Sequence, residues 1–147
     1  MSGPKGYFAD ISRSFVCDDR APTDAQRLLY EQAHAQVHHN LSLLRPGVSF
    51  REFAEKSWRL PSRYEKNRYM SLIHGAGLAG EYPYIPYQVD FERKGYDGVF
   101  EENMTICVES YLGAEDGREG VKLEQLVWLT ETGPIPLSDY PFEDRFL

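Results

Sequence analysis

The sequence has few cysteines, no long apolar run and fewer basic than acidic residues. Its two cysteines, Cys17 and Cys107, are too few for a disulfide-stapled secreted scaffold, so a reducing, cytoplasmic setting is expected. No stretch approaches the roughly 20 apolar residues of a membrane-spanning helix, and the first residues lack the apolar core of a signal peptide. The formal net charge of -7 repels phosphate backbones and anionic lipids. We therefore expect no nucleic-acid partner and no membrane partner.

The first half of the chain predicts one strand and two helices. Its 147 residues and 41% hydrophobic content suit a single compact domain. Residues 7–17 are rich in aromatic and β-branched side chains, which favours a strand. Two capping-box patterns, Thr23 with Gln26 and Ser49 with Glu52, each precede apolar residues at helical spacing. We therefore predict a long helix that ends near residue 46 and a shorter helix after it.

The second half predicts strands. Residues 69–74, 104–112 and 121–130 are strand candidates, whereas the prolines of residues 82–87 exclude a central strand there. The Asp116–Gly117 pair predicts a hairpin turn between the last two strands. The fold class is therefore α+β, with an antiparallel curved sheet and two main helices.

A hairpin centred on Asp116 and Gly117 would place Glu109 directly opposite Glu124. Their Cβ atoms would then lie about 5 Å apart on one face of two otherwise apolar strands. Two carboxylates in that setting are destabilising unless they are protonated, paired or bridged by a cation, and a divalent metal is the simplest remedy. The alternative is a longer, asymmetric loop that shifts the register and leaves one glutamate in solvent.

Asp10 in the first strand and His74 at the end of another extend this candidate site. A single aspartate or histidine is usually structural, through a salt bridge or a satisfied hydrogen bond. One imidazole with three carboxylates, however, is a ligand set that suits Mn, Fe, Co or Zn. We therefore expect Asp10, His74, Glu109 and Glu124 to bind a divalent metal ion for metal-assisted hydrolysis.

At these residues the sequence resembles the creatinase, aminopeptidase P and Xaa-Pro dipeptidase superfamily. The resemblance covers nearly the whole chain, and four motifs in order are far more specific than any one of them. The motifs are GYFADISRSF at 6–15, HGAGL at 74–78, ENMTICVE at 102–109 and GVKLE at 120–124. Within the superfamily, the chain is similar to a bacterial branch that includes dimethylsulfoniopropionate lyases.

The resemblance implies a metallopeptidase-like hydrolase with a pita-bread fold. Asp10 and Glu124 would bridge two metal ions, manganese being one candidate, and His74 and Glu109 would complete the first ion. Metal-bound hydroxide would attack a peptide bond while Glu109 shuttles protons. The substrate would be a short peptide or another small molecule.

The first departure from the family concerns a missing ligand. The family has another metal-binding Asp on a strand upstream of the Asp10 strand, and this chain begins after that position. We therefore expect residues 1–147 to be the C-terminal part of the catalytic domain, truncated at its N-terminus, with one metal ion or none. An unpaired edge at the Asp10 strand would also favour a homo-oligomer.

Two further departures leave the reaction open. Family peptidases carry histidines where this chain has Met70 and Glu81. The lyase branch carries an Asp that would act as the base where this chain has Gly80. The first alternative is a carbon–sulfur lyase acting on a sulfonium propionate, in which Tyr69 or Glu81 removes a proton. The second alternative is a catalytically inactive remnant that binds a ligand or partner through the same cleft.

Overall fold

The computed structural model describes residues 3–78 and 82–147, which form helices on an antiparallel sheet. The helices are α1 (Asp24–Leu43), α2 (Phe50–Lys56), α3 (Ser62–Glu65) and α4 (Gln88–Lys94), with short 3-10 turns at Pro4–Gly6 and Asp144–Phe146. The strands are β1 (Ser71–Gly75), β2 (Tyr84–Pro86), β3 (Thr105–Gly113), β4 (Gly120–Thr130) and β5 (Gly133–Pro136). The sheet order is β2-β1-β3-β4-β5. The expected α+β class is confirmed.

Helix α1 begins where the capping box predicts. The Thr23 hydroxyl accepts a hydrogen bond from the backbone of Gln26, and the Gln26 side chain accepts one from the backbone of Thr23. Helix α2 has half of this arrangement, because Ser49 Oγ accepts from the backbone of Glu52. Both caps satisfy N–H groups that the first helical turn leaves unpaired.

The β3–β4 hairpin has the register that the turn sequence predicts. Glu109 lies opposite Glu124, and the pairing extends from Thr105 with Trp128 to Gly113 with Gly120. The alternative of an asymmetric loop with one glutamate in solvent is therefore wrong, because both glutamates are fully buried.

The two faces of the hairpin carry different side chains, because residues alternate along a strand. One face packs beneath α1 and the other helices in the main apolar core, with members such as Val108, Leu123 and Val127. The opposite face carries Glu109 and Glu124. A small apolar cluster borders them there, made of Ala76, Cys107 and Leu126.

The N-terminal segment differs from its prediction. Residues 7–17 run extended beside the first half of β4 but form single bridges rather than a regular strand, one of them between Ser12 and Glu124. Beyond it, Ser14 Oγ donates to the Lys122 carbonyl at 3.0 Å and accepts from the Lys122 N–H at 3.2 Å. The Ser14 side chain thus occupies the Lys122 hydrogen-bonding groups that the backbone of a regular neighbouring strand would use.

The region after His74 is closely packed. A Cβ at Gly75 would collide with the Tyr82 carbonyl, and the Gly75 N–H donates to the Pro83 carbonyl at 2.8 Å. The small residue therefore lets the chain itself return across β1. The proline-bearing segment forms the short strand β2 at the edge of the sheet, which agrees with the exclusion of a central strand there. In the described part of the chain, no helix is long and apolar enough to cross a membrane.

Candidate metal centre

Three of the four predicted ligands meet on the face of the sheet opposite α1. His74 in β1 pairs with Cys107 in β3, and two residues further along β3 Glu109 faces Glu124 in β4. His74 Nε2 lies 3.0 Å from Glu124 Oε1 and 3.8 Å from Glu109 Oε1. Neighbouring strands of one sheet therefore bring an imidazole and two carboxylates together.

Both carboxylates are anchored by serine hydroxyls. Ser12 Oγ donates to Glu124 Oε2 at 2.9 Å, and Ser71 Oγ donates to Glu109 Oε1 at 3.0 Å. Neither serine stands out in the sequence, although Ser12 lies in the same motif as Asp10. Charged oxygens that are fully buried require such partners, because leaving them unpaired costs several kcal/mol.

Lys122 is the principal residue that the sequence reasoning missed. Its Nζ lies 3.2 Å from Glu109 Oε2 and 3.2 Å from Glu124 Oε2. The signal was available, because Lys122 precedes Glu124 by two residues on the same strand and therefore projects from the same face. With Lys122 and protonated His74, the two carboxylates form an electrically neutral group of four.

One buried oxygen of this group has no hydrogen bond. Among the described residues, Glu109 Oε2 finds no hydrogen-bonding partner, although Lys122 Nζ is within ion-pairing distance. The ammonium is thus close enough to attract the oxygen but is not oriented to donate to it. Two buried carboxylates beside an imidazole fit the ligand chemistry of a divalent cation.

The orientation of His74 also suits a metal ligand. Its Nδ1 lies 3.0 Å from the Gly75 carbonyl oxygen, which can only accept, so Nδ1 carries the proton in that bond. Nε2, the other nitrogen, faces the carboxylates. Metal-binding histidines are usually fixed in this way, with one ring nitrogen donating to a carbonyl and the other left for the ion.

Mutual contacts shift the pKa values of the buried groups. Burial disfavours the charged form of His74, but the hydrogen bond to Glu124 and the nearby charges outweigh it and raise the pKa of His74 to about 9. Burial and the neighbouring Glu124 charge raise the pKa of Glu109. Burial would also raise the pKa of Glu124, but its contacts with His74, Lys122 and Ser12 lower it. Glu109 is therefore the carboxylate better suited to hold a proton.

Cys107 lies within the same cluster. One ligand atom each from His74, Cys107 and Glu124 fall within 4.8 Å of one another. Burial raises the pKa of the Cys107 thiol, with the surrounding carboxylates acting in the same direction. A protonated thiol is a poor ligand, so Cys107 serves here as part of the small apolar border with Ala76 and Leu126.

Asp10 approaches the cluster at Cys107, where its carboxylate is one of the charges that help burial to raise the pKa of the thiol. The Asp10 carbonyl lies 4.0 Å from Cys107 Sγ, and no hydrogen bond or ion pair of the Asp10 carboxylate occurs within residues 3–78 and 82–147. The Tyr69 ring borders the cluster, with its centroid 5.4 Å from Lys122 Nζ. Glu81 and Gly80 lie outside the described residues.

The relatives of this chain include a lyase. Metallopeptidase family M24 matches residues 2–131. The dimethylsulfoniopropionate lyase DddP of Roseovarius nubinhibens is 38% identical over 147 residues, which is 100% of this chain and 33% of that protein. This chain therefore spans about a third of the length of that curated relative.

Solved structures of peptidases share the fold. The prolidase from Pyrococcus furiosus matches with a TM-score of 0.72 and 27% identity, covering 92% of this chain and 38% of that chain. The X-Pro aminopeptidase from Thermotoga maritima matches with a TM-score of 0.70 and 25% identity, covering 93% of this chain and 37% of that chain. The five-stranded antiparallel sheet is that of the pita-bread fold, and the chain belongs to metallopeptidase family M24.

Proposed function

We propose that this chain binds one divalent metal ion through His74, Glu109 and Glu124, with the Asp10 carboxylate joining them from the N-terminal segment. The observation that carries the proposal is the meeting of two fully buried carboxylates and an imidazole, with His74 Nε2 3.0 Å from Glu124 Oε1 and 3.8 Å from Glu109 Oε1. Manganese, iron, cobalt or zinc would suit this mixture of nitrogen and oxygen ligands. When bound, such an ion supplies a Lewis acid that polarises a carbonyl or carboxylate oxygen of a substrate.

The first candidate reaction is hydrolysis of an Xaa-Pro peptide. The chain's own contribution would be proton transfer by Glu109, whose pKa is raised by burial and by the Glu124 charge. A carboxyl group whose pKa is raised holds a proton more readily than an exposed one, which suits it to donate and accept a proton during catalysis. Ser71 would hold Glu109 Oε1 in place during that transfer. The peptidase structures that share the fold support this candidate.

The second candidate is a carbon–sulfur lyase reaction, favoured by the 38% identity to the dimethylsulfoniopropionate lyase. A base would remove a proton from the carbon next to the carboxylate, the carbon–sulfur bond would break, and dimethyl sulfide would leave with its electron pair to give acrylate. Tyr69, whose ring borders the charged group, is one candidate for this base. Glu81 is the other base candidate.

Metal binding is tested first. Isothermal titration of the EDTA-stripped chain with MnCl2 should give one ion per chain, and Glu124→Gln should weaken binding roughly 100-fold because it removes a charged ligand. The matched control is Glu131→Gln, which makes the same chemical change at an exposed position after β4. The proposal fails if the wild-type chain binds no Mn²⁺, or if Glu124→Gln and Glu131→Gln bind it equally.

Product analysis then separates the reactions. The Mn²⁺-loaded chain is incubated with Gly-Pro and, separately, with dimethylsulfoniopropionate. Free proline supports the hydrolase, and acrylate with dimethyl sulfide supports the lyase. Tyr69→Phe should reduce acrylate formation without changing Mn²⁺ affinity if Tyr69 is the base. Metal binding with neither product supports the remaining alternative, a chain that only binds ligands through this site.

A further inference from the structure

The space between the two carboxylates already contains a cation. Lys122 Nζ is equidistant from Glu109 Oε2 and Glu124 Oε2, at 3.2 Å from each. His74 Nε2 lies beside the other oxygens of the same two carboxylates, Glu109 Oε1 and Glu124 Oε1, so a divalent ion held by His74 and both glutamates would share these carboxylates with the ammonium. The two positive charges would repel each other at short distance and would compete for the same two carboxylates.

We propose that Lys122 is a resident counter-ion that stabilises the metal-free site and that a divalent ion must displace, so that Lys122 sets the metal affinity. The inference rests on the proposed metal site and specifies how that site is regulated. Lys122 should therefore stabilise the metal-free protein and oppose metal binding.

The charge balance supports displacement. Glu109 and Glu124 are fully buried, and among the described residues the cations in contact with them are His74 and Lys122. A buried carboxylate pair without a cation would be strongly unfavourable, so the metal-free chain needs Lys122. The same positive charge, left in place, would oppose the arrival of a divalent ion.

The Lys122 ammonium can also move away from the two carboxylates. Its side chain is 36% exposed, so the ammonium can move toward water without crossing the protein. Lys122 Nζ already lies over the Tyr69 ring, 5.4 Å from its centroid, so the ring face can attract the ammonium through a cation–π contact. By contrast, the two carboxylates and their serine donors are buried or half-buried and fixed by the sheet. The lysine is therefore the member of the group that moves.

The test compares Lys122→Met with Lys122→Arg. Methionine keeps a flexible, unbranched side chain but lacks the charge, whereas arginine keeps the charge. The matched control is Lys66→Met, since Lys66 is an exposed lysine whose nearest carboxylate, that of Glu115, lies 4.0 Å away. Each variant is melted in EDTA and titrated with MnCl2 by calorimetry, so neither readout depends on catalytic activity.

We expect Lys122→Met to melt about 5 °C lower than wild type in EDTA and to bind Mn²⁺ roughly tenfold more tightly. Lys122→Arg and Lys66→Met should resemble wild type in both measurements. Equal or weaker Mn²⁺ binding by Lys122→Met would overturn the inference while leaving the metal site standing. Absence of Mn²⁺ binding in wild type and in Lys122→Met alike would overturn the metal site and this inference with it.

Discussion

Both faces of the β3–β4 hairpin contain fully buried side chains, yet different forces stabilise them. On the face beneath the helices, Leu123 and Val127 are fully buried in a continuous apolar core. On the other face, Glu109 and Glu124 are equally buried but are held by ion pairs and serine hydroxyls. Burial alone therefore does not distinguish a structural face from a functional one.

The difference lies in what each face responds to. Apolar packing depends on shape and buried area, neither of which changes with protonation or with a bound cation. A buried charged group depends on both, because its members lose their partners when one of them gains or loses a proton. The same pair of strands thus has an apolar face whose packing does not depend on pH or cations, and a charged face that depends on both.

The largest change in the free energy of unfolding is expected when a side chain on the apolar face is truncated. Leu123→Ala removes a fully buried side chain next to Glu124 in sequence but on the opposite face. Urea unfolding should show a loss of about 4 kcal/mol, from lost burial and from the cavity that remains. The loss should be equal in EDTA and in Mn²⁺, since Leu123 does not face the charged group. A loss that differed between the two conditions would mean that the faces are coupled.

Because of the charged face, the free energy of unfolding of the metal-free chain should depend on pH. The ordinary pKa of histidine is 6.5, and the folded chain raises that of His74 to about 9 through Glu124 and the nearby charges, despite the opposing effect of burial. A raised pKa stabilises the folded state fully below pH 6.5, and this stabilisation is lost as the pH rises through 9. Its upper bound is about 3 kcal/mol.

Urea midpoints measured in EDTA at pH 6.5 and at pH 9.5 test this expectation. The wild-type chain should lose stability between them, and His74→Asn should lose much less because it cannot titrate. Leu123→Ala, although less stable at both values, should keep the wild-type pH dependence. Identical pH profiles for wild type and His74→Asn would show that His74 does not carry the charge assigned to it.

The sequence was most informative where a local rule determines geometry. The register is the one that a turn centred on Asp116 and Gly117 predicts, and it places Glu109 opposite Glu124, although the observed connection spans residues 114–119 with a turn from Ala114 to Gly117. The capping box likewise located the start of α1. Each of these features depends on residues within a few positions of one another, or on a strand pairing set by its own turn.

The rest of the site depends on contacts between distant segments. Ser12 and Glu124 are separated by 112 residues, and Ser71 and Glu109 by 38, so no local sequence pattern predicts their hydrogen bonds. Lys122 was visible on the correct face, but a lysine on a strand is usually solvated. Its contact with two carboxylates follows from their fully buried positions, which only the assembled sheet reveals.

The smallest change in the free energy of unfolding should come from weakening the N-terminal cap of α1, which alters neither face of the hairpin directly. Thr23→Ala removes the hydroxyl that accepts from the Gln26 N–H at the start of α1, and should cost about 1 kcal/mol in urea unfolding. Thr23→Ser retains the acceptor and should stay near wild type. Mn²⁺ affinity should be unchanged in both variants, because α1 packs on the face opposite the charged group. A weaker Mn²⁺ site in Thr23→Ala would instead show that the helical cover helps to position the carboxylates through the sheet.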